Sequence, residues 1–348
     1  MTRIVFVTGA SGYIGSTVCQ QLLEAGFHVR GTARGEKVEH LRQSFTSFSK
    51  RFEVIEIADL SRDRVGCGMK DVWALIHLAY YIPRGERPQN MIAGTIEGSM
   101  NIIKEAEANG VKHVVVTGST AAVYNSQGTW KHDDWNPITI EEAISRNNFY
   151  DSYCAAKKYS ELAIWEWAEA HPDVEVTVVS PPAVYGPWPK DLFLPSPVFP
   201  SMIPAIWNLI KPNGRFTSSS GYVDVRDVAK ALILAITHSV PTSRIGRKRL
   251  VFVSPHAFDW PRSVEILREK RPTLKDRLIK ATPSKPVERP YVDFSRIAEV
   301  LDMKKEDFYS FEQANSVDNY VELERQWILN GHAVRPPQPF GASIRQQL

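Results

Sequence analysis

The chain has 348 residues, 43% hydrophobic and 23% charged, a balance that excludes a disordered or fibrous polypeptide and fits one large domain or two intimate lobes. Its net charge of +3 is the balance of 42 basic and 39 acidic residues mixed along the chain, so nothing favours nucleic acid as a partner. Three cysteines, Cys19, Cys67 and Cys154, form neither a disulfide framework nor a CxxC metal pattern, and no apolar stretch reaches the ~20 residues of a membrane span.

The first half alternates short apolar runs with longer amphipathic stretches. Residues 3–8 (RIVFVT) read as a buried strand, 16–25 as a helix closed by Gly26, and 28–32 as a second strand. Further strands follow at 53–57, 74–78, 113–117 and 175–180, with helices at 95–108 and 153–170 between them. Continuous apolar strands in βαβα order predict an α/β fold, a Rossmann-type doubly wound parallel sheet. After Ser180 the character changes. Residues 181–212 are thick with proline and predict an ordered loop or lid over a substrate. A helix resumes at 227–237, a strand at 250–253, and from 262 the chain is mostly helical. The expected division is a cofactor domain over 1–180, with 223–253 folding back onto it. A smaller, mainly helical substrate lobe comes from 181–222 and 254–348, its last residues forming a loose tail. The first apolar run is too short for a signal peptide and meets glycine at once, so a reducing, cytoplasmic location is expected.

Between the first strand and helix lies Gly9-Ala10-Ser11-Gly12-Tyr13-Ile14-Gly15, a GxxGxxG loop. Glycines allow a tight turn and let backbone approach a pyrophosphate, while the helix N-terminus offers free N–H groups and a favourable dipole. Gly9, Ser11, Gly12, Tyr13, Ile14 and Gly15 are therefore expected to bind a dinucleotide. The end of the second strand selects which one. An acidic residue there holds the ribose 2′-hydroxyl of NAD; this chain has Arg34, with Lys37 adding charge, which suits the 2′-phosphate of NADP(H). Glu36 argues the other way, for NAD. Asp59, followed by Leu60, suits either an adenine contact or a helix N-cap. Backbone at Leu78 and Ala79 is expected to line the cofactor, and His77 to be structural.

Tyr153 and Lys157 stand at i and i+4, on one face of a helix. A lysine ammonium beside a phenol favours phenolate and makes tyrosine a usable acid and base. The run Gly118-Ser119-Thr120-Ala121 ends a strand at the carboxyl edge, where open α/β sheets bind ligands, and offers a hydroxyl to a carbonyl oxygen. The histidines show no metal-binding spacing, and no metal is expected.

Taken together, TGASGYIG, HLA, VVVTGSTAAVY, YCAAKK, PPAVYGP and YVDVRDVA resemble the extended short-chain dehydrogenase/reductase superfamily, over the chain up to Asp227 and more loosely to Trp327. The closest likeness is to the dihydroflavonol-reductase-like branch with its fungal aldehyde and ketone reductases. The resemblance implies Tyr153 as acid/base, Lys157 as its partner and ribose ligand, and Pro182, Ala183 and Val184 lining the nicotinamide. It implies Thr120 as the active hydroxyl, with Ser119 beside it as the alternative. Tyr80, Tyr81, Trp188, Phe193, Phe199 and Trp207 are aromatic side chains able to wall an apolar pocket.

The expected activity is NADPH-dependent reduction of a small, apolar or aromatic aldehyde or ketone, or the reverse dehydrogenation, by a monomer or homodimer. Two other readings use the same residues. An NAD-retaining nucleotide-sugar epimerase shares the Tyr/Lys pair. The related dehydratases carry Thr-Asp-Glu after the hydroxyl-bearing strand, where this chain has Thr120-Ala121-Ala122. A non-catalytic dinucleotide-sensing regulator would keep the fold and lose turnover.

Overall fold

The computed structural model describes residues 3–82, 85–125, 128–189, 208–216, 221–238, 240–257, 260–280 and 291–314. Strand β1 (Ile4–Val7) leads through the glycine loop into helix α1 (Tyr13–Glu24), followed by β2 (His28–Ala33), α2 (Lys37–Ser44), β3 (Phe52–Glu56) and β4 (Val72–His77). Then come α3 (Pro88–Ala108), β5 (His113–Thr117), β6 (Thr129–Trp130), α4 (Ile140–Arg146), α5 (Phe149–Ala170) and β7 (Glu175–Ser180). The remainder supplies β8 (Ala183–Tyr185), β9 (Tyr222–Asp224), α6 (Val225–Thr237), β10 (Lys248–Val251), α7 (Trp260–Lys270), β11 (Tyr291–Val292), α8 (Ser295–Leu301) and α9 (Phe311–Ala314).

Seven strands form one parallel sheet in the order β10-β7-β5-β4-β1-β2-β3. The strand order reverses between β1 and β4, which opens a crevice beyond their carboxyl ends, and the glycine loop sits there. Both faces are covered because alternate residues of each strand point to opposite layers. Val5 and Val7 of β1 pack with Val18 and Leu22 of α1 and with Val228 and Leu232 of α6. Phe6, between them, packs with Ile102 and Ile103 of α3 and Ile164 of α5. This is the doubly wound α/β fold expected from the sequence.

Some boundaries differ. Helix α3 starts at Pro88, seven residues before the apolar periodicity begins, because proline suits the first helical turn, where its missing N–H costs nothing. Helix α5 starts at Phe149, capped by Asn148, whose side chain accepts from Asp151 N at 2.9 Å. Helix α4 follows a capping box between Thr139 and Glu142, a Thr-x-x-Glu signal present in the sequence.

A second, smaller core begins with β8, which pairs in parallel with β9. Tyr185 and Tyr222 from these strands meet Trp260 of α7 and Phe311 of α9 edge to face, with centroids 4.8–6.2 Å apart. Such T-shaped contacts suit the ring quadrupoles and give this core a defined geometry. Asp224 caps α6 through Arg226 N at 2.7 Å and also pairs with the Arg226 guanidinium, which reaches the carbonyl of Gln313 at 3.0 Å. These bonds fasten α6, which covers the main sheet, to the chain segment at α9.

Candidate active site

The glycine loop is built for close backbone approach. Gly9 adopts φ +67°, and a Cβ there would lie 3.1 Å from Ala79 N. A Cβ on Gly15 would lie 2.1 Å from Gly9 O, so only glycine lets α1 pack on the loop. Gly9 N donates to Thr32 Oγ1 at 3.0 Å and Gly12 N to Gly9 O at 2.9 Å. Gly12 caps α1 without any side-chain hydrogen bond, so the helix presents its leading amides to a ligand. Ser11 and Ile14 are half-buried beside it, Ile14 against the core. Tyr13 turns outward from the loop: its hydroxyl donates to Gly186 O at 2.6 Å, and its ring meets Trp188 at 4.8 Å.

A buried polar chain braces this loop from behind. Thr8 Oγ1 accepts from Leu78 N and Ala79 N at 2.9 and 3.1 Å, which leaves its own hydrogen for His77 Nδ1 at 2.9 Å. His77 Nε2 must then carry the proton, which it gives to Ser99 Oγ at 3.3 Å; Ser160 Oγ of α5 donates to the same oxygen at 3.0 Å. Burial holds the His77 imidazole down to about 3, so it is neutral, and the Lys157 charge adds to the shift. Leu78 and Ala79 are thus fixed as backbone next to the glycine loop.

Arg34 and Lys37 are exposed at the end of β2. The turn carrying them is held by Glu56 of β3, whose Oε1 accepts from Gly35 N at 3.1 Å. Glu36 takes the N-cap position of α2 without making a cap bond. Asp59 organises a turn rather than capping an α-helix: its Oδ1 accepts from Ser61 N and Ser61 Oγ at 2.9 and 2.7 Å. Those bonds hold its carboxyl below the usual range. Asn101 of α3 pins the same turn through Leu60 O and Asp63 O, both at 2.9 Å. The close-packed loop, the uncapped helix and the exposed cations all fit a phosphorylated dinucleotide.

Tyr153 stands on α5 facing the end of β5, and its hydroxyl donates to Ser119 Oγ at 3.2 Å. Ser119 Oγ also accepts from Ala121 N at 3.2 Å, so its own hydrogen is the one left to donate. Thr120 lies one residue on, buried, as the first residue of a 3-10 turn, with its N–H given to Pro181 O at 3.1 Å. The hydroxyl bonded to Tyr153 is that of Ser119, the alternative to Thr120.

The phenol also departs from expectation. Burial pushes Tyr153 up to about 12, opposed by the Ser119 hydrogen bond. Lys157 is not among the groups that shift the phenol; its Nζ lies 3.0 Å from the centroid of the Tyr80 ring and 3.3 Å from Thr117 O. Burial pulls Lys157 down to about 7, and the Glu161 carboxylate, one turn further along α5, opposes the shift. Glu161 forms a buried ion pair with Arg249 of β10 at 2.5 Å. Arg249 in turn donates to His132 O and Asp134 O and lies over the Trp135 ring. This pair escaped sequence reasoning because its members are 88 residues apart, although Glu161 at i+4 from Lys157 is a legible signal.

Pro182, Ala183 and Val184 follow β7, with Ala183 and Val184 buried in β8. Tyr80 packs against Lys157 and His77, and Tyr81 lies on Gly94 of α3 with its carbonyl taking the Thr95 hydroxyl at 2.6 Å. Phe193, Phe199 and Trp207 lie outside the described residues. Cys154 is buried beside Tyr153 in an apolar cluster. Among the described residues no group of three His, Cys, Asp or Glu side chains stands where it could hold a metal, and no helix is long and apolar enough to cross a membrane.

The sequence profile described as "NAD dependent epimerase/dehydratase family" matches residues 5–246. The NADPH-dependent methylglyoxal reductase of Saccharomyces cerevisiae is 31% identical over 296 residues, 79% of this chain and 84% of that protein. A Schizosaccharomyces pombe protein named as an uncharacterized oxidoreductase is 32% identical over the same shares of each chain. Among solved structures, yeast methylglyoxal/isovaleraldehyde reductase complexed with NADPH superposes with a TM-score of 0.76 at 24% identity, covering 93% of this chain and 99% of that one.

Proposed function

Since the chain belongs to the NAD dependent epimerase/dehydratase family, we propose that it is an NADPH-dependent reductase of small aldehydes or ketones, working in the cytoplasm as a monomer or homodimer. The observation that carries this reading is the Tyr153–Ser119 hydroxyl pair at the carboxyl end of β5, with Lys157 one turn along the same helix. The fungal relative's name, an NADPH-dependent methylglyoxal reductase, supports the same chemistry.

The glycine loop and the amides of Tyr13, Ile14 and Gly15 hold the pyrophosphate, with Leu78 and Ala79 beside it. Arg34 and Lys37 take the 2′-phosphate, while Pro182, Ala183 and Val184 back the nicotinamide. Bound NADPH supplies the hydride that the carbonyl carbon accepts. As negative charge grows on the carbonyl oxygen, Ser119 donates its own hydrogen while still accepting from Ala121 N, and the Tyr153 O–H turns from Ser119 to the carbonyl oxygen. Tyr153 delivers the proton. A phenol that burial keeps protonated suits the donor role of the reductive direction. Lys157 orients the ribose. The product is the alcohol, with one hydride and one proton added across the carbonyl. Tyr80 and Trp188 border the space where an apolar substrate would lie.

The test is cofactor consumption with NADPH and NADH against aldehydes, ketones and nucleotide sugars, with Tyr153→Phe as control. Tyr153-dependent oxidation of NADPH by a carbonyl compound is the expected result. Conversion of a nucleotide sugar without net cofactor loss would replace this reading with the epimerase. NADPH binding with no turnover of any of these compounds would leave the dinucleotide-sensing regulator.

A further inference from the structure

Tyr80 comes directly after Leu78 and Ala79, the backbone that lines the glycine loop, three residues beyond the end of β4 at His77. Its ring centroid is 3.0 Å from Lys157 Nζ, and the imidazole of His77 packs on the same ring at 5.3 Å. The surroundings of the ammonium can be named element by element. From α5 comes Glu161, with Tyr153 one turn before Lys157 on the same helix, from β5 the carbonyl of Thr117 at 3.3 Å, and from the end of β4 neutral His77 and, just beyond it, Tyr80. From β10 comes Arg249, already engaged by Glu161 Oε1 at 2.5 Å. From α3 the hydroxyl of Ser99 bonds His77 Nε2 at 3.3 Å. The Glu161 oxygen bonded to Arg249 also takes the Trp165 indole N–H. Glu161 acts on Lys157 through its charge, with no hydrogen bond described between them, and the described contacts of the ammonium are one carbonyl and one aromatic face.

We propose that Tyr80 is a positioning residue for Lys157, its ring face holding the ammonium charged and in place beside the Tyr153–Ser119 pair. The inference rests on the reading of Lys157 as the ribose ligand. An aromatic quadrupole attracts a cation but not a neutral amine, and the attraction grows when water is excluded, as it is around this buried lysine. The ring thereby opposes the desolvation that pulls the lysine toward its neutral form. The hydroxyl of Tyr80 is not required for this; the face of the ring is.

The experiment compares Tyr80→Leu with Tyr80→Phe. NADPH affinity is measured across pH by fluorescence titration, kcat/KM is measured over the same range, and Lys157→Met marks the limb that belongs to the lysine. Tyr80→Leu is expected to move the alkaline limb of NADPH binding to lower pH by about one unit. Tyr80→Phe retains the wild-type limb. Thermal melts verify folding, and Tyr80→Met replaces the leucine variant if that one melts early. A wild-type limb in Tyr80→Leu, a shift shared by Tyr80→Phe, or an NADPH limb indifferent to Lys157→Met would each overturn the proposal. A Lys157-dependent limb that moves as stated, in a protein that turns over no carbonyl, would sustain the role of Tyr80 while the reductase reading fails.

Discussion

The Tyr153 hydroxyl donates to Ser119 Oγ across 3.2 Å, tying helix α5 to the end of strand β5. The bond gives the two hydroxyls distinct roles: Ser119 keeps a hydrogen to donate, and Tyr153 holds the proton to be transferred.

Tyr153→Phe is therefore expected to lower kcat by about 10²–10⁴-fold, with NADPH affinity nearly unchanged. Ser119→Ala should cost about 10²–10³-fold in kcat. Thr120→Val should cost far less, because the hydroxyl bonded to the phenol is that of Ser119. Steady-state kinetics on the three variants check the order, and a larger loss in Thr120→Val than in Ser119→Ala would reverse the hydroxyl assignment.

Arg34 projects from a turn fixed by Glu56 and is exposed. Replacing it with alanine should weaken NADPH about tenfold to a hundredfold, since one charge-assisted phosphate contact is worth roughly 1.5–3 kcal/mol. NADH affinity should hardly change. Equal losses for the two cofactors, measured by fluorescence titration, would mean that Arg34 does not read the phosphate.

Glu161→Ala leaves the Arg249 guanidinium buried without its partner and should cost about 3–5 kcal/mol of stability. Glu161→Gln keeps part of the hydrogen bonding and should cost less. Denaturant melts check both; a Glu161→Ala midpoint equal to wild type would show that the pair stabilises nothing.

His77 is neutral in the fold, held down to about 3, and titrates near 6.5 when unfolded. Between those values the unfolded chain binds more protons, so stability falls as the pH falls, by up to about 1.4 kcal/mol per unit. Asp227 acts the other way, because burial raises its carboxyl to about 7 and acid therefore favours the fold. His77→Asn should flatten the acid slope relative to wild type, with the Asp227 contribution common to both. Parallel slopes from pH-dependent melts would contradict the histidine assignment.

The fold was legible because strand and helix periodicities are local properties of the chain. The glycine loop, the Tyr153/Lys157 spacing and Arg34 were legible for the same reason: each is a short motif whose geometry follows from one turn or one helix face. The bond from Tyr153 to Ser119 was not, because sequence spacing does not resolve which of two neighbouring hydroxyls a side chain on another helix meets. Nor was the direction of the Tyr153 shift. Helical spacing brings a lysine near, but burial of the phenol and the capture of Lys157 by Tyr80 come from other elements. His77 was read as structural; its chain to Ser99 and Ser160 needed α3 and α5 in place to be seen.

Strand β10 has one further consequence. It lies beyond residue 246, where the family match stops, yet it forms the outer edge of the sheet and covers β7. A chain truncated at that boundary would bare the backbone of Thr177–Ser180, an edge holding Val178 and Val179 and open to pairing with other chains. It would also remove Arg249 and leave the carboxylate of Glu161 in the apolar interior, one turn from Lys157. A piece of this protein that keeps the β7 edge paired and Glu161 partnered therefore extends past the segment that matches the family.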